Sequence, residues 1–71
     1  MARVQEVGIR GEVIRLGQLL KVAGLAASGA EAKELIAAGE VTVNGERETR
    51  RGRQLHRGDV SAAGDDAVRL V

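Results

Sequence analysis

A capped helix that runs directly into a hairpin turn is the feature that most constrains the fold of this chain. Ser28 and Glu31 have the spacing of a capping box, in which each side chain accepts a hydrogen bond from a backbone N–H at a helix start. Residues with the spacing of one buried helical stripe follow at Ala32, Leu35, Ile36 and Gly39. Asn44 and Gly45, directly after an alternating Val-Thr-Val segment, form the strongest two-residue hairpin signal. The sequence therefore predicts a helix, a tight turn and a β-hairpin in this order.

The remaining elements can be predicted from apolar spacing and from glycines. Leu16, Leu19, Leu20 and Ala23 have helical spacing and predict a first helix that Gly24 ends. Short strands are expected near residues 4–9, 41–43, 46–49, 60–62 and 67–71, with an exposed connection over residues 50–57. Two short helices so close in sequence must pack as a pair, since neither is stable alone. We predict an α+β fold with two packed short helices against a small antiparallel sheet, in which the first and last strands pair.

Length and composition limit how such a fold can be stabilised. Seventy-one residues lie near the lower limit for an independent core, so we expect one domain over residues 1–71. Because the chain has no cysteine, it must rely on aliphatic packing, which fits a reducing compartment. No segment resembles a signal peptide or approaches the roughly 20 apolar residues of a membrane span. We therefore expect a cytoplasmic protein without a membrane partner.

The absence of Phe, Tyr and Trp excludes one class of nucleic-acid binding. Proteins that hold single strands by base stacking use aromatic side chains as platforms. Any binding of nucleic acid by this chain must instead use charge, backbone amides and shape.

Positive charge is concentrated in a short segment, although the formal net charge of the chain is only +1. Residues 47–57 contain five arginines against the single acid Glu48, whereas the segments on either side carry a small negative excess. Such asymmetry indicates binding to a polyanion. An arginine-rich loop that only solubilises a strand edge is the structural alternative. The density of Arg50, Arg51 and Arg53 favours binding, because guanidinium groups make bidentate contacts with phosphate.

The start of the second predicted helix is a further candidate for phosphate binding. Helix N-termini attract anions, and Gly29 has no side chain that would obstruct one. On an ideal helix Gly29 and Lys33 share one flank, whereas Glu31 lies on the other. Lys21, on the polar face of the first predicted helix, is a lesser candidate. Ser28 is explained by capping alone and Asn44 by turn geometry alone.

The ordered combination of these motifs resembles the S-four-type RNA-binding domain. The residues that carry the resemblance are Arg15-Leu16, Ser28, Glu31-Ala32-Lys33, Ile36, Gly39, Val41, Val43-Asn44-Gly45 and Gly58-Asp59-Val60. The run Glu48-Thr49-Arg50-Arg51-Gly52 is similar to the stand-alone, single-domain branch of that family. The resemblance implies an alpha-L type RNA-binding fold and a surface that contacts the backbone of folded RNA, ribosomal RNA above all. Many family members have an arginine directly after the capping serine, where this chain has Gly29.

Together, the residues and the resemblance predict a set of RNA-binding positions on the helix starts, the hairpin and the arginine segment. These positions are Arg15, Ser28, Gly29, Lys33, Asn44, Arg47, Arg50, Arg51 and Arg53. The alternatives are an adaptor that presents the basic loop to an acidic protein, and a binder of double-stranded DNA. His56 is the only histidine, and no catalytic set, metal-ligand cluster or P-loop motif occurs in the sequence. We therefore expect no enzymatic activity, no cofactor, no metal and no small-molecule substrate.

Overall fold

A computed structural model describes residues 3–71, and over this range the chain forms seven strands and two helices. Their order is β1 (Arg3–Val7), β2 (Val13–Arg15), α1 (Leu16–Val22), α2 (Gly29–Ala37), β3 (Val41–Val43), β4 (Glu46–Arg47), β5 (Gln54–His56), β6 (Val60–Ala63) and β7 (Asp66–Leu70). The predicted α+β class is confirmed, with both helices near their predicted positions.

The strands form two sheets rather than one. The larger sheet has the order β1-β7-β6-β3-β4, and all its pairs are antiparallel except β1 with β7. The predicted pairing of the first and last strands is confirmed, but it is parallel, with Arg3 opposite Asp66 and Val7 opposite Leu70. The smaller sheet contains β2 and β5 as an antiparallel pair. The larger sheet is therefore mostly antiparallel, as predicted, whereas the parallel β1–β7 pair and the separate β2–β5 sheet were not anticipated.

The prediction of an exposed connection over residues 50–57 was wrong for residues 54–56. Residues 54–56 form β5, and the Leu55 side chain is fully buried in the core. A strand of three residues with polar neighbours on both sides has too few positions to show an alternating pattern. The predicted return strand over residues 46–49 is shorter than expected, since β4 ends at Arg47 and the side chain of Glu48 is buried.

Local hydrogen bonds fix both ends of α2. The Ser28 hydroxyl accepts from the Glu31 N–H at 3.2 Å, and the Glu31 carboxylate accepts from the Ala27 N–H at 3.3 Å. At the other end Gly39, with φ of +76°, lets its own N–H and that of Glu40 bond carbonyls of the last helical turn. These bonds form a Schellman motif, which satisfies carbonyl groups that the helix leaves unpaired. The predicted capping box at the start of α2 and the predicted helix end at Gly39 are therefore confirmed.

The core lies between the helices and the two sheets. Its buried members are Leu16, Leu19, Leu20, Ala26, Ala32, Ile36, Val41, Val43, Leu55, Val68 and Leu70. Both helices, the larger sheet and β5 contribute to this one cluster, so the smaller sheet is held against α1 by apolar contact. Among residues 3–71, no helix is long and apolar enough to cross a membrane.

Candidate nucleic-acid interface

A groove of about 530 Å³ lies where three segments of the chain converge. Arg15, Gly17, Gln18 and Lys21 line it from the end of β2 and from α1; Gly29 lines it from the start of α2; and Arg51 and Gly52 line it from the loop between β4 and β5. Among the described residues, the lining includes three cationic side chains and no acidic one. Such a groove has the charge expected of a site for an anionic backbone.

Backbone hydrogen bonds hold the loop against the start of α1. The N–H of Leu16 donates to the Arg53 carbonyl at 2.8 Å, and the N–H of Gly17 donates to the Arg51 carbonyl at 3.1 Å. The N-cap residue Arg15 makes no side-chain cap. Since the first N–H groups of a helix lack partners within the helix, the loop carbonyls supply the missing acceptors. The same two hydrogen bonds therefore cap α1 and hold the loop in place.

Gly17 permits the close approach of the loop side chain. A Cβ atom at Gly17 would lie 2.8 Å from Cγ of Arg51, closer than two such carbons can sit. The aliphatic part of Arg51 thus packs directly on α1, and both residues line the groove. Arg51 is consequently the arginine of the cluster that the fold places in the groove.

Arg50 and Arg53 instead bind the buried carboxylate of Glu48. Arg50 donates to Glu48 Oε2 from its backbone N and from Nε, both at 3.0 Å, and Nη1 of Arg53 lies 2.6 Å from Oε1. Only 6% of the Glu48 surface is exposed. The hydrogen bonds from the Arg50 and Arg53 side chains, followed by that from the Arg50 N–H, lower the pKa of Glu48 from 4.5 to about 2. The charge of these two arginines is thus partly balanced inside the protein.

Ser28 and Asn44 have structural partners. The Ser28 hydroxyl caps α2, as described above. The Asn44 side chain donates to Asp59 at 3.0 Å and accepts from the Val60 N–H at 2.9 Å, while Asp59 also accepts from the His56 N–H at 2.7 Å. The bonds from His56 and Asn44 lower the pKa of Asp59. Asn44 therefore ties the β3–β4 hairpin to the turn between β5 and β6.

The remaining predicted residues lie outside the groove lining. Lys33 is exposed on α2, and Arg47 is exposed on β4 with its Cδ against Gly39 at the end of α2. Of the predicted positions, the groove brings together Arg15, Gly29 and Arg51. It also includes Gln18, which the sequence interpretation did not name, and Lys21, which it gave as a lesser candidate. Their spacing of three residues on one helix, directly after Arg15, was the signal available.

Potential metal ligands are dispersed over the part of the chain that the structure describes. Within residues 3–71, no group of three or more His, Cys, Asp or Glu side chains is placed to hold a metal ion.

Comparison with known proteins identifies the family of the chain. The model of the S4 domain family matches residues 7–71. The chain belongs to the S4 domain family. This confirms the S-four-type resemblance that the sequence motifs indicated.

One curated protein and one solved structure are similar to this S4 domain protein. A probable ribosome maturation protein, RlbA of Bacillus subtilis (strain 168), is 48% identical over 54 residues, which is 76% of each chain. The solution structure of YbcJ from E. coli, described as revealing an alfaL motif involved in RNA-binding, has a TM-score of 0.67 and 34% identity. That similarity covers 100% of the present chain and 89% of YbcJ.

The ion pairs of Glu48 predict how the stability of this S4 domain depends on pH. Because folding lowers the pKa of Glu48, its contribution is fully present above the ordinary value of 4.5 and is lost as pH falls through about 2. We expect the free energy of unfolding of the wild type to fall towards that of Glu48→Gln over this range. Urea denaturation followed by far-UV circular dichroism measures it, since the chain lacks aromatic fluorophores. Curves for the two proteins that stay parallel throughout would contradict the assignment, and Glu46→Gln is the control for an exposed acid on the same hairpin.

Proposed function

We propose that this S4 domain protein binds structured RNA, and specifically ribosomal RNA or a ribosomal particle, through backbone phosphates. The observation that carries the proposal is the groove with three cationic side chains between the starts of the two helices. We further propose that residues 1–71 act as a single RNA-binding domain in the cytoplasm, without a catalytic step.

The groove offers two kinds of group to a phosphate. Arg15 and Arg51 supply guanidinium groups, which can contact two phosphate oxygens at once, and Lys21 supplies a compact ammonium group. At Gly29 the groove reaches the start of α2. Within residues 3–71 the N–H groups of Gly29 and Ala30 have no acceptor, whereas that of Glu31 donates to Ser28. These free donors lie at the positive end of the helix dipole, which favours a phosphate at this position.

The predicted positions outside the groove have secondary roles in this proposal. Lys33 and Arg47 are exposed cations that extend the positive surface and attract RNA at longer range. Ser28 and Asn44 act mainly by fixing the helix start and the hairpin, through the hydrogen bonds that they already make.

The relatives support RNA over the other polyanions. RlbA is described as a probable ribosome maturation protein, and the motif of YbcJ as involved in RNA-binding. The lack of aromatic side chains favours a folded RNA over a single strand, because base stacking is not available. Double-stranded DNA and an acidic protein are the alternatives that the binding experiment distinguishes.

The proposal predicts a strong dependence of binding on salt and on Arg51. With about four to six phosphate contacts, the slope of log affinity against log salt should be on the order of −3 to −5 for a labelled RNA hairpin. Arg51→Ala should weaken binding at least about tenfold and make the slope shallower by about one unit. The matched control is Arg69→Ala, on β7 outside the groove, which removes the same charge and should change neither quantity.

Competition between nucleic acids identifies the ligand class in the same assay. An RNA hairpin should outcompete both an unstructured strand of equal length and a DNA duplex of the same sequence. Equal affinity for all three would reduce the protein to a non-specific polycation. Affinity that does not depend on salt, or equal effects of the two arginine variants, would contradict the groove as the binding site.

Gly29 provides a gain-of-function prediction. A Cβ atom there meets nothing within 4 Å, and its φ lies outside the left-handed region, so a side chain is accommodated. Gly29→Arg places a fourth cation beside the groove and should tighten binding of the RNA hairpin by roughly threefold to tenfold. Gly29→Ala is the control, because it makes the same change in backbone freedom without adding charge. No gain for Arg over Ala would argue against a phosphate at the start of α2.

A further inference from the structure

The arginines between β4 and β5 occupy two different kinds of position. Residues 50–53 form a tight turn, in which the N–H of Arg53 donates to the Arg50 carbonyl at 3.2 Å. Arg50 and Arg53 are the two ends of this turn, and Arg51 and Gly52 are its tip. Within the described part of the chain the tip lines the groove, whereas the lining does not include the ends.

Glu48 bridges the two ends of the turn. One carboxylate oxygen accepts from Nε and the backbone N of Arg50 at 3.0 Å, and the other accepts from Arg53 at 2.6 Å and from Nη2 of Arg50 at 3.4 Å. Arg50 thus presents the Nε and Nη2 edge of its guanidinium group to Glu48. The same edge cannot at the same time make a bidentate contact with a phosphate. The Glu48 side chain is only 7% exposed and that of Arg53 is 36% exposed, whereas the Arg50 side chain remains 74% exposed.

We propose that Glu48, Arg50 and Arg53 form an internal clamp that holds Arg51 in position for RNA, so that Arg50 and Arg53 are positioning residues rather than phosphate contacts. This inference rests on the proposed function of the groove. It assigns the direct phosphate contact in the arginine cluster to the tip of the turn alone.

The surroundings of the turn show why such a clamp is needed. Between β4 and β5 the loop contributes no buried apolar side chain to the core over residues 48–53. Apart from the packing of Arg51 on Gly17, the loop is therefore held by polar contacts. These are the clamp on one side and, on the other, the hydrogen bonds from the start of α1 to the carbonyls of Arg51 and Arg53. If the clamp opens, the turn loses one of these supports, and both its tip and the carbonyls that cap α1 are less firmly placed.

The clamp and a simple charge model predict effects of opposite sign for one substitution. Glu48→Gln removes a negative charge from the basic segment and frees two arginines. If net charge decides affinity, the variant must bind RNA more tightly than the wild type. If position decides affinity, the variant must bind less tightly despite its higher positive charge, because the tip is no longer fixed.

The experiment measures affinity for a short labelled RNA hairpin, at a temperature well below the melting temperature of each variant. We expect Glu48→Gln to weaken binding by about tenfold. The matched control Glu46→Gln makes the same charge change on exposed β4 and should leave binding unchanged or slightly tighter. Glu48→Asp, which restores the charge on a shorter side chain, should recover part of the loss. Binding by Glu48→Gln that equals or exceeds that of the wild type would overturn the clamp.

A second measurement uses the wild-type protein and so does not depend on the folding of any variant. Nuclear magnetic resonance of the arginine Nε–H groups, titrated with the same hairpin, reports on each guanidinium separately. The Arg51 signal should shift on RNA binding, whereas those of Arg50 and Arg53 should move little. The Arg50 Nε–H, which donates to Glu48, should also be protected from exchange before RNA is added. Shifts of Arg50 or Arg53 as large as that of Arg51 would make them phosphate contacts and overturn the inference. If the wild type does not bind the hairpin at all, the proposed function fails and this inference fails with it.

Discussion

The carboxylate of Glu48 is the point on which the arrangement of the candidate interface depends. It lies where the chain leaves β4, and it receives hydrogen bonds from both ends of the turn over residues 50–53. That turn supplies the carbonyl groups that cap α1. The next residue, Gln54, begins β5 opposite Arg15 of β2. A single buried acid therefore connects the larger sheet, the turn, the smaller sheet and the first helix.

Such polar contacts hold the loops of this fold in place, because few apolar side chains are available to pack against them. The core is aliphatic, and no aromatic side chain is available to cover a loop. Other junctions are held in the same way: Asn44 bonds Asp59 and Val60, Gln5 donates to the Ala23 carbonyl at 2.6 Å, and Arg57 donates to the Ile9 carbonyl at 2.9 Å. Buried ion pairs add little net stability in general, but they can select one arrangement among several. In this protein the selected arrangement places Arg51 beside Arg15 and Lys21.

Sequence was informative wherever structure follows from local chemistry. The capping box at Ser28, the helix end at Gly39 and the turn at Asn44-Gly45, where both φ angles are positive, depend only on neighbouring residues. The β2–β5 pair could not be predicted from neighbouring residues, because it joins three-residue strands that are far apart in sequence. Its pairing follows from the burial of Leu55, which becomes apparent only when the core is assembled.

The same distinction applies to the site. Arg15, Gly29 and Arg51 were predicted and lie together in the groove. Gln18 was not named and Lys21 was only a lesser candidate, because the face of α1 that lines the groove is apparent only once the loop is packed against the helix. Counting charges over residues 47–57 treated Glu48 as one acid among five arginines. The sequence does not show that this acid is buried and bonded to two of them. The proposed division between positioning and contacting arginines therefore depends on the fold.

The central claim is that RNA binds in the groove between the helix starts, and backbone nuclear magnetic resonance tests it most directly. An isotope-labelled sample titrated with an RNA hairpin reports the position of the ligand at every backbone amide. We predict the largest shifts at Gly17, Gln18, Gly29 and Gly52, all of which line the groove. Small shifts at these amides would contradict the account if the largest shifts occurred along β1 and β7, at the end of the larger sheet opposite β4.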